Sequence, residues 1–175
     1  GHEFSGEVSA CGEGVSGLRP GQLVTVRPSV VCGVCAACRA QDFDACTTRQ
    51  GIGVMRHGAF ADWVVAPARN CVPVPAGVDP LVAALAEPLS VSLEAVRTGG
   101  VQRGDRVLVL GPGNIGQGIA LFAREAGASQ VVVAGHGDAP RMAVLQRLGF
   151  TDLIDSAQGG LAQGLAPYLD AGRFA

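Results

Sequence analysis

Hydrophobic positions follow two different rhythms along this chain, and the change falls near residue 88. In the first half, Phe4 to Val8 alternates apolar with small or polar residues. Leu23-Val24-Thr25-Val26 does the same before Arg27-Pro28, so both predict strands. Gly12-Glu13-Gly14 and Pro20-Gly21 read as turns between them. Strand character returns at Ala59-Phe60-Ala61-Asp62-Trp63-Val64-Val65, after which Pro73, Pro75 and Pro80 interrupt the pattern. From Leu81 onward Leu85, Leu89, Leu93 and Val96 recur near helical spacing, and Glu87-Pro88 marks the point where proline begins or kinks a helix.

In the second half Val107-Leu108-Val109-Leu110 is continuously apolar, as expected of a strand covered on both faces. A glycine turn follows, then a helix from about Ile115 to Glu125 and a second strand over Val131 to Ala134. Another helix is expected over Arg141 to Leu148 and a short third strand at Leu153-Ile154. The tail from Gly159 to Ala175 is weakly helical. Strand, helix and strand in this order make a βαβ unit and predict a parallel sheet.

Composition narrows the function classes. With 48% hydrophobic and 16% charged residues the chain has the material for a packed core. A net charge of −2, a pI near 5.9 and the lack of any basic run give no footprint for nucleic acid or an anionic membrane. The apolar runs are too short for a membrane span, and no signal peptide is expected. Six cysteines are too sparse for a disulfide scaffold of this length, which points to a reducing compartment, the cytoplasm. The sequence opens on Gly1-His2-Glu3 rather than on Met, and the expectation is a fragment of a longer protein.

Cys32, Cys35, Cys38 and Cys46 are separated by two, two and seven residues. Thiolates this close can turn inward on one soft cation, and four of them form the closed tetrahedral shell of a structural zinc site. An iron–sulfur cluster fits less well, because the bacterial run has three residues before its last Cys and a proline after it. A disulfide pair and buried reduced thiols remain as alternatives, although the loop has no periodic core face.

Gly111-Pro112-Gly113-Asn114-Ile115-Gly116 is a GxGxxG sequence that follows an apolar strand and opens a helix. In that setting the glycines permit a tight turn, a close approach to a pyrophosphate and close helix–strand packing. A plain strand-to-helix turn is the alternative. The second strand ends Ala134-Gly135-His136 with no acid at its tip, while Arg141 is placed to meet a 2′-phosphate, so NAD and NADP both stay open. His2, Glu3 and Glu87 are candidates for an open, reactive metal site. The alternatives are a frayed terminus for His2 and a carboxylate favoured by the helix start for Glu87. His57 and His136 read as exposed loop residues, and Cys11 and Cys71 as core thiols.

Taken in order, these segments resemble the zinc-dependent medium-chain dehydrogenase/reductase family, particularly its polyol and threonine dehydrogenase-like branch. Gly1-His2-Glu3-Phe4-Ser5-Gly6-Glu7-Val8 is similar to its GHE segment, and the four cysteines to its structural-zinc lobe. Gly58-Ala59-Phe60-Ala61-Asp62-Trp63 resembles its GGFAEY stretch, Glu87-Pro88-Leu89-Ser90 its EPLS segment, and Arg103-Gly104-Asp105 the approach to the GxGxxG turn.

The resemblance implies a partial β-rich, GroES-like catalytic lobe over 1–88, with its zinc lobe at 32–46. The first half of a doubly wound, dinucleotide-binding (Rossmann) domain would follow over 89–175. It further implies His2 as a catalytic zinc ligand, with Glu3 and Glu87 ligating the metal or holding its water. The activity implied is hydride transfer between a zinc-bound alcohol or polyol and NAD(P), with zinc structural at the cysteines and catalytic in the full-length enzyme. Gly111, Gly113, Asn114, Ile115, Gly116, Gly135 and Arg141 would contact the cofactor. The partner would be a small alcohol or polyol, with no nucleic acid or membrane, and the full-length protein would be a homo-oligomer. Two departures stand: the family's first catalytic cysteine lies upstream of the GHE segment, and only about three of the six usual sheet strands are read here. The rival expectation is a catalytically incomplete zinc- and nucleotide-binding remnant with a structural or binding role only.

Overall fold

The computed structural model describes residues 1–169, Gly172 and Phe174. It divides into two compact units, Gly1–Glu87 and Pro88–Ala175.

In the first unit, β1 (Ser5–Glu7) and β2 (Leu23–Val26) run antiparallel, with Gly6 opposite Val24. A short pair follows, made of β3 (Ser29–Val30) and β4 (Gln50–Gly51), and between its strands lies the brief helix α1 (Ala36–Arg39). A 3₁₀ turn at Ala68–Asn70 leads into β5 (Cys71–Pro73), which completes a sheet of order β1-β2-β5. The alternation at 23–26 is what a one-sided sheet requires. Val24 and Val26 are buried with Val30 and Ile52 in the unit's core, while Leu23 and Thr25 are only half-buried. Asn70, buried at the end of the 3₁₀ turn, donates to the carbonyls of Arg27 (2.7 Å) and Ser29 (2.9 Å), tying the approach to β5 to the link between β2 and β3.

The expected strand over Ala59–Val65 does not form. The segment is bent and then irregular, and Phe60, Trp63 and Val65 are exposed. A strand exists only as part of a ladder, and the backbone bond made at this segment's start, Ala59 N–H to Gly1 C=O at 2.9 Å, is not continued into one.

The unit ends in α2 (Pro80–Ala83), which is capped by Asp79: its carboxylate accepts from Leu81 N–H at 2.7 Å, and proline fills the first helical position. Next, α3 (Ala86–Thr98) carries Glu87 and Pro88 in its first turn, where a missing N–H costs nothing.

The second unit is the βαβ arrangement in full. Strand β6 (Arg106–Leu110), helix α4 (Asn114–Glu125), strand β7 (Gln130–Gly135), helix α5 (Ala139–Arg147), strand β8 (Leu153–Asp155) and helix α6 (Leu161–Leu169) follow in sequence. The parallel sheet has the order β6-β7-β8, with Leu108 beside Val132 and Ala134 beside Ile154. Its two faces are covered by different helices. Val107, Val109, Val131 and Val133 pack with Ala120 and Ala123 of α4 and with Met142 and Leu145 of α5. Val132, Ala134 and Ile154 face Leu161, Leu165 and Tyr168 of α6. Burial on both faces is why these strands read as unbroken apolar runs. Helix α5 starts two residues before its expected first residue, because Pro140 suits a first turn. Much of the expected weak helix in the tail is α6; Asp170, Ala171, Arg173 and Ala175 lie outside the described residues. Among the described residues no helix is long and apolar enough to cross a membrane.

The fold is therefore mixed α/β: a small, mostly β first unit followed by a three-stranded parallel sheet covered by helices on both faces.

Candidate functional site

The four cysteines converge. Each offers its Sγ within 4.8 Å of the other three, and the Cys32–Cys38 and Cys46–Cys32 sulfurs are each 3.8 Å apart. Four sulfurs at about 2.3 Å from a tetrahedral centre lie about 3.8 Å from one another, so the donor set fits zinc in both chemistry and spacing. Local backbone holds the thiols in place. Cys32 Sγ accepts from Val34 N–H (3.5 Å) and Cys35 N–H (3.4 Å), and Cys35 caps α1 by accepting from Cys38 N–H at 3.4 Å.

Those amides set the protonation. The Val34 and Cys35 N–H groups pull the Cys32 thiol down to about 6 from its ordinary 9.0. Cys46 is lowered as well, first by a backbone hydrogen bond at Cys32. Burial pushes Cys38 up to about 12. The four-cysteine cluster can hold a zinc ion, and four thiolates leave no coordination position open.

A second cluster joins His2, Glu3 and Glu87, each with one ligand atom within 4.8 Å of the others. His2 Nε2 lies 4.0 Å from Glu87 Oε1; both residues are half-buried, while Glu3 is exposed. Three donors of the nitrogen and oxygen type leave a position free, unlike the cysteine shell. Glycines that the sequence reading left without a role put His2 there. A Cβ on Gly53 would lie 2.5 Å from the Gly1 carbonyl oxygen, and one on Gly58 would lie 2.5 Å from Gly53 Cα. The residue before His2 thus threads against two glycines of the 51–58 turn. The only sequence signal was the density of glycine at positions 51, 53 and 58.

At the glycine turn between β6 and α4, Gly111 has φ 106°, a conformation open to glycine, and Gly113 sits at the N-cap of α4 with no side chain to cover the amides behind it. A Cβ at Gly116 would collide with the Gly111 carbonyl, so the helix packs directly on the turn. Gln117 Nε2 donates to Pro112 C=O at 2.9 Å and braces it. The first amides of α4, those of Asn114, Ile115 and Gly116, are the ones a helix leaves without internal acceptors, and they form a site suited to phosphate. Ser92, fully buried on α3, fits against Gly118, with its hydroxyl 3.1 Å from Pro88 C=O and 3.0 Å from Ile115 C=O.

At the tip of β7, Gly135 has a packing reason to be glycine: a Cβ there would lie 2.7 Å from Met142 Cε and 2.9 Å from Pro112 Cγ. Beyond it Asp155 accepts from Gly137 N–H (2.8 Å) and Ala157 N–H (3.0 Å), and these amides hold its carboxyl below the usual value. Arg141 is ion-paired with Asp138 one helical turn away. His136 is exposed, with Nδ1 3.1 Å from Ser156 Oγ, and His57 is exposed too.

Residues 1–76 match the alcohol dehydrogenase GroES-like domain, and the unit that follows carries the Rossmann turn. Over both units the chain is similar to the zinc-dependent medium-chain dehydrogenase/reductase family. Among its relatives in that family, the sorbitol dehydrogenase of Halalkalibacterium halodurans is 36% identical over 159 residues, which cover 90% of this chain and 46% of that protein. The L-galactonate-5-dehydrogenase of Escherichia coli K12 is 40% identical over 163 residues, covering 93% and 47%. A Sinorhizobium meliloti protein, assigned as a zinc-binding dehydrogenase and solved with NADP bound, superposes with a TM-score of 0.83 at 34% identity. That superposition covers 90% of this chain and 46% of the other. The chain thus spans about half the length of the medium-chain dehydrogenases it matches.

Proposed function

We propose that the protein of which this chain forms part is a zinc-dependent oxidoreductase that transfers a hydride between an alcohol or polyol and NAD or NADP. The convergence of His2, Glu3 and Glu87 into a donor set with an open position supports this reading most. In it, His2 and Glu87 hold a zinc ion, and exposed Glu3 ligates it or orients water beside it. Zinc bound there supplies Lewis acidity toward a substrate hydroxyl, a stabilisation of developing charge worth several kcal/mol.

The remaining roles belong to the chain's own groups. The α4 amides behind Gly113 receive the pyrophosphate, and Gly111 and Gly116 let the backbone approach it closely. Gly135 offers the adenosine ribose no carboxylate, and Arg141 stands in the first turn of α5, so both cofactors are admitted. The cysteine cluster holds its zinc as a brace for the loop at 32–46 and does not react.

The test is an assay of the whole protein with NAD and with NADP against alcohols, polyols and L-threonine. The expected result is reduction of cofactor that a chelator abolishes and zinc restores. Zinc-loaded whole protein that reduces neither cofactor with any of these compounds overturns the reading.

A further inference from the structure

Arg69 reaches the cysteine loop from outside it. It belongs to the 3₁₀ turn at Ala68–Asn70, and its guanidinium donates to the carbonyl of Val31, the residue before the first cysteine of the cluster. The bond continues a series. Asn70 holds the carbonyls of Arg27 and Ser29, so two consecutive side chains take those of residues 27, 29 and 31, the alternate positions that face one way along an extended chain. The guanidinium also lies over the turn between Cys32 and Cys35: a Cβ on Gly33, which has φ 80°, would be 3.5 Å from Arg69 Nη1.

Charge gives this placement a use. Four thiolates around a zinc dication leave a net charge of about −2 on the cluster. The loop itself does not offset it, because across 32–49 the acids Asp42 and Asp44 cancel Arg39 and Arg49. We propose that Arg69 is a positioning residue for the cysteine zinc site, pinning the chain at Val31 and supplying, from outside the loop, a positive charge that stabilises the zinc–thiolate cluster. The proposal rests on zinc at these cysteines and is independent of the alcohol, the nicotinamide cofactor and the site at His2.

Zinc affinity of the cysteine site is measured on the whole protein by competition with a chromophoric chelator, at low and at high ionic strength, with Cys46→Ser as the blank for the other metal site. R69Q keeps a donor for the Val31 carbonyl but no charge. It is expected to bind zinc at least about tenfold more weakly at low salt, the lower end of what losing an outer partner costs a metal site. R69K keeps the charge and loses the planar fork, and is expected to stay within about threefold of the original. Arg69 is exposed, so ions screen its charge, and the R69Q deficit is expected to shrink at about 1 M salt, where the screening length falls to about 3 Å. Loss of packing or of a hydrogen bond alone would leave the deficit unchanged by salt. An R69Q protein that matches the original, an R69K protein as weak as R69Q, or a deficit independent of salt overturns the proposal. The two readings fail separately: an original protein whose cysteines bind no zinc removes both, whereas zinc held equally by the original and R69Q removes only the role of Arg69.

Discussion

His2 Nε2 stands 4.0 Å from Glu87 Oε1, although one residue precedes β1 and the other sits in the first turn of α3. Neither side chain has a metal-site signature in its own neighbourhood; the fold creates it. Glu87→Ala is therefore expected to weaken metal binding at this centre by about 10–100-fold while the cysteine zinc stays bound, with Glu87→Asp intermediate. Cobalt titration followed by visible spectra separates the two sites, because thiolate and nitrogen–oxygen donors give different bands. Unchanged cobalt uptake in Glu87→Ala removes Glu87 from the ligand set.

Protein purified without chelator is expected to contain one zinc per chain in the cysteine cluster, and Cys46→Ser to lose it. The pH dependence has a definite sign. Metal binds thiolate, so every thiol still protonated must release its proton. Cys32, held near 6, is already ionised at neutral pH, whereas Cys38, near 12, is not. Zinc binding near pH 7.5 is expected to release protons and to weaken further as pH falls through about 6. Competition with a chromophoric chelator across pH measures this, and a pH-independent affinity would count against a thiolate site.

Gly118 and Ser92 occupy space that only one of them can extend into, since a Cβ at position 118 would meet Ser92 Cβ at 2.8 Å. Gly118→Ala is expected to cost about 1–3 kcal/mol by overpacking. Ser92→Ala leaves the Cβ but removes the hydroxyl, so in the double variant part of that cost disappears. Urea unfolding of the four proteins gives the coupling, and additive effects would show that the contact is not shared.

The packing of Met142 and Pro112 around Gly135 makes this position a poor site for a cofactor switch. Gly135→Asp is expected to destabilise the second unit without sharpening selectivity for NAD, and the original protein is expected to tolerate NADP. Titration of both cofactors checks this; a thousandfold preference for NAD in the original protein would remove the tolerance.

Asp155 is bound to the Gly137 and Ala157 amides as a carboxylate, which places its folded value below its unfolded one. A depressed carboxyl contributes stability that is complete above its ordinary value of about 4 and is lost as pH falls through the lower, folded value. Asp155→Ala should thus be less stable than the original protein at neutral pH, and the gap should narrow below about pH 4 in denaturant titrations. A gap that stays constant with pH would assign the loss to packing instead.

How far the chain could be read in advance depended on the range of the interactions. The strands at 107–110 and 131–134 and the helices between and after them were legible because burial on both faces, a glycine turn and a proline in a first turn leave local marks. The cysteine cluster was legible for the same reason: its ligands lie within one short loop, so spacing alone fixes which atoms can meet. Ala59–Val65 shows the limit. Its residues have strand character, yet pairing is supplied by a partner and is not a property of the segment.

The sequence by itself determined the βαβ unit, the zinc-compatible loop and the glycine turn that opens α4, all of which depend on contacts between residues close in the chain. Only the tertiary structure decided that His2, Glu3 and Glu87 share one site, that Gly53 and Gly58 make room for it, and that Gly135 is held to glycine by Pro112 and Met142. Those outcomes rest on steric contacts between distant segments, and no local pattern of hydrophobic and polar residues encodes which distant atom will fill a given space.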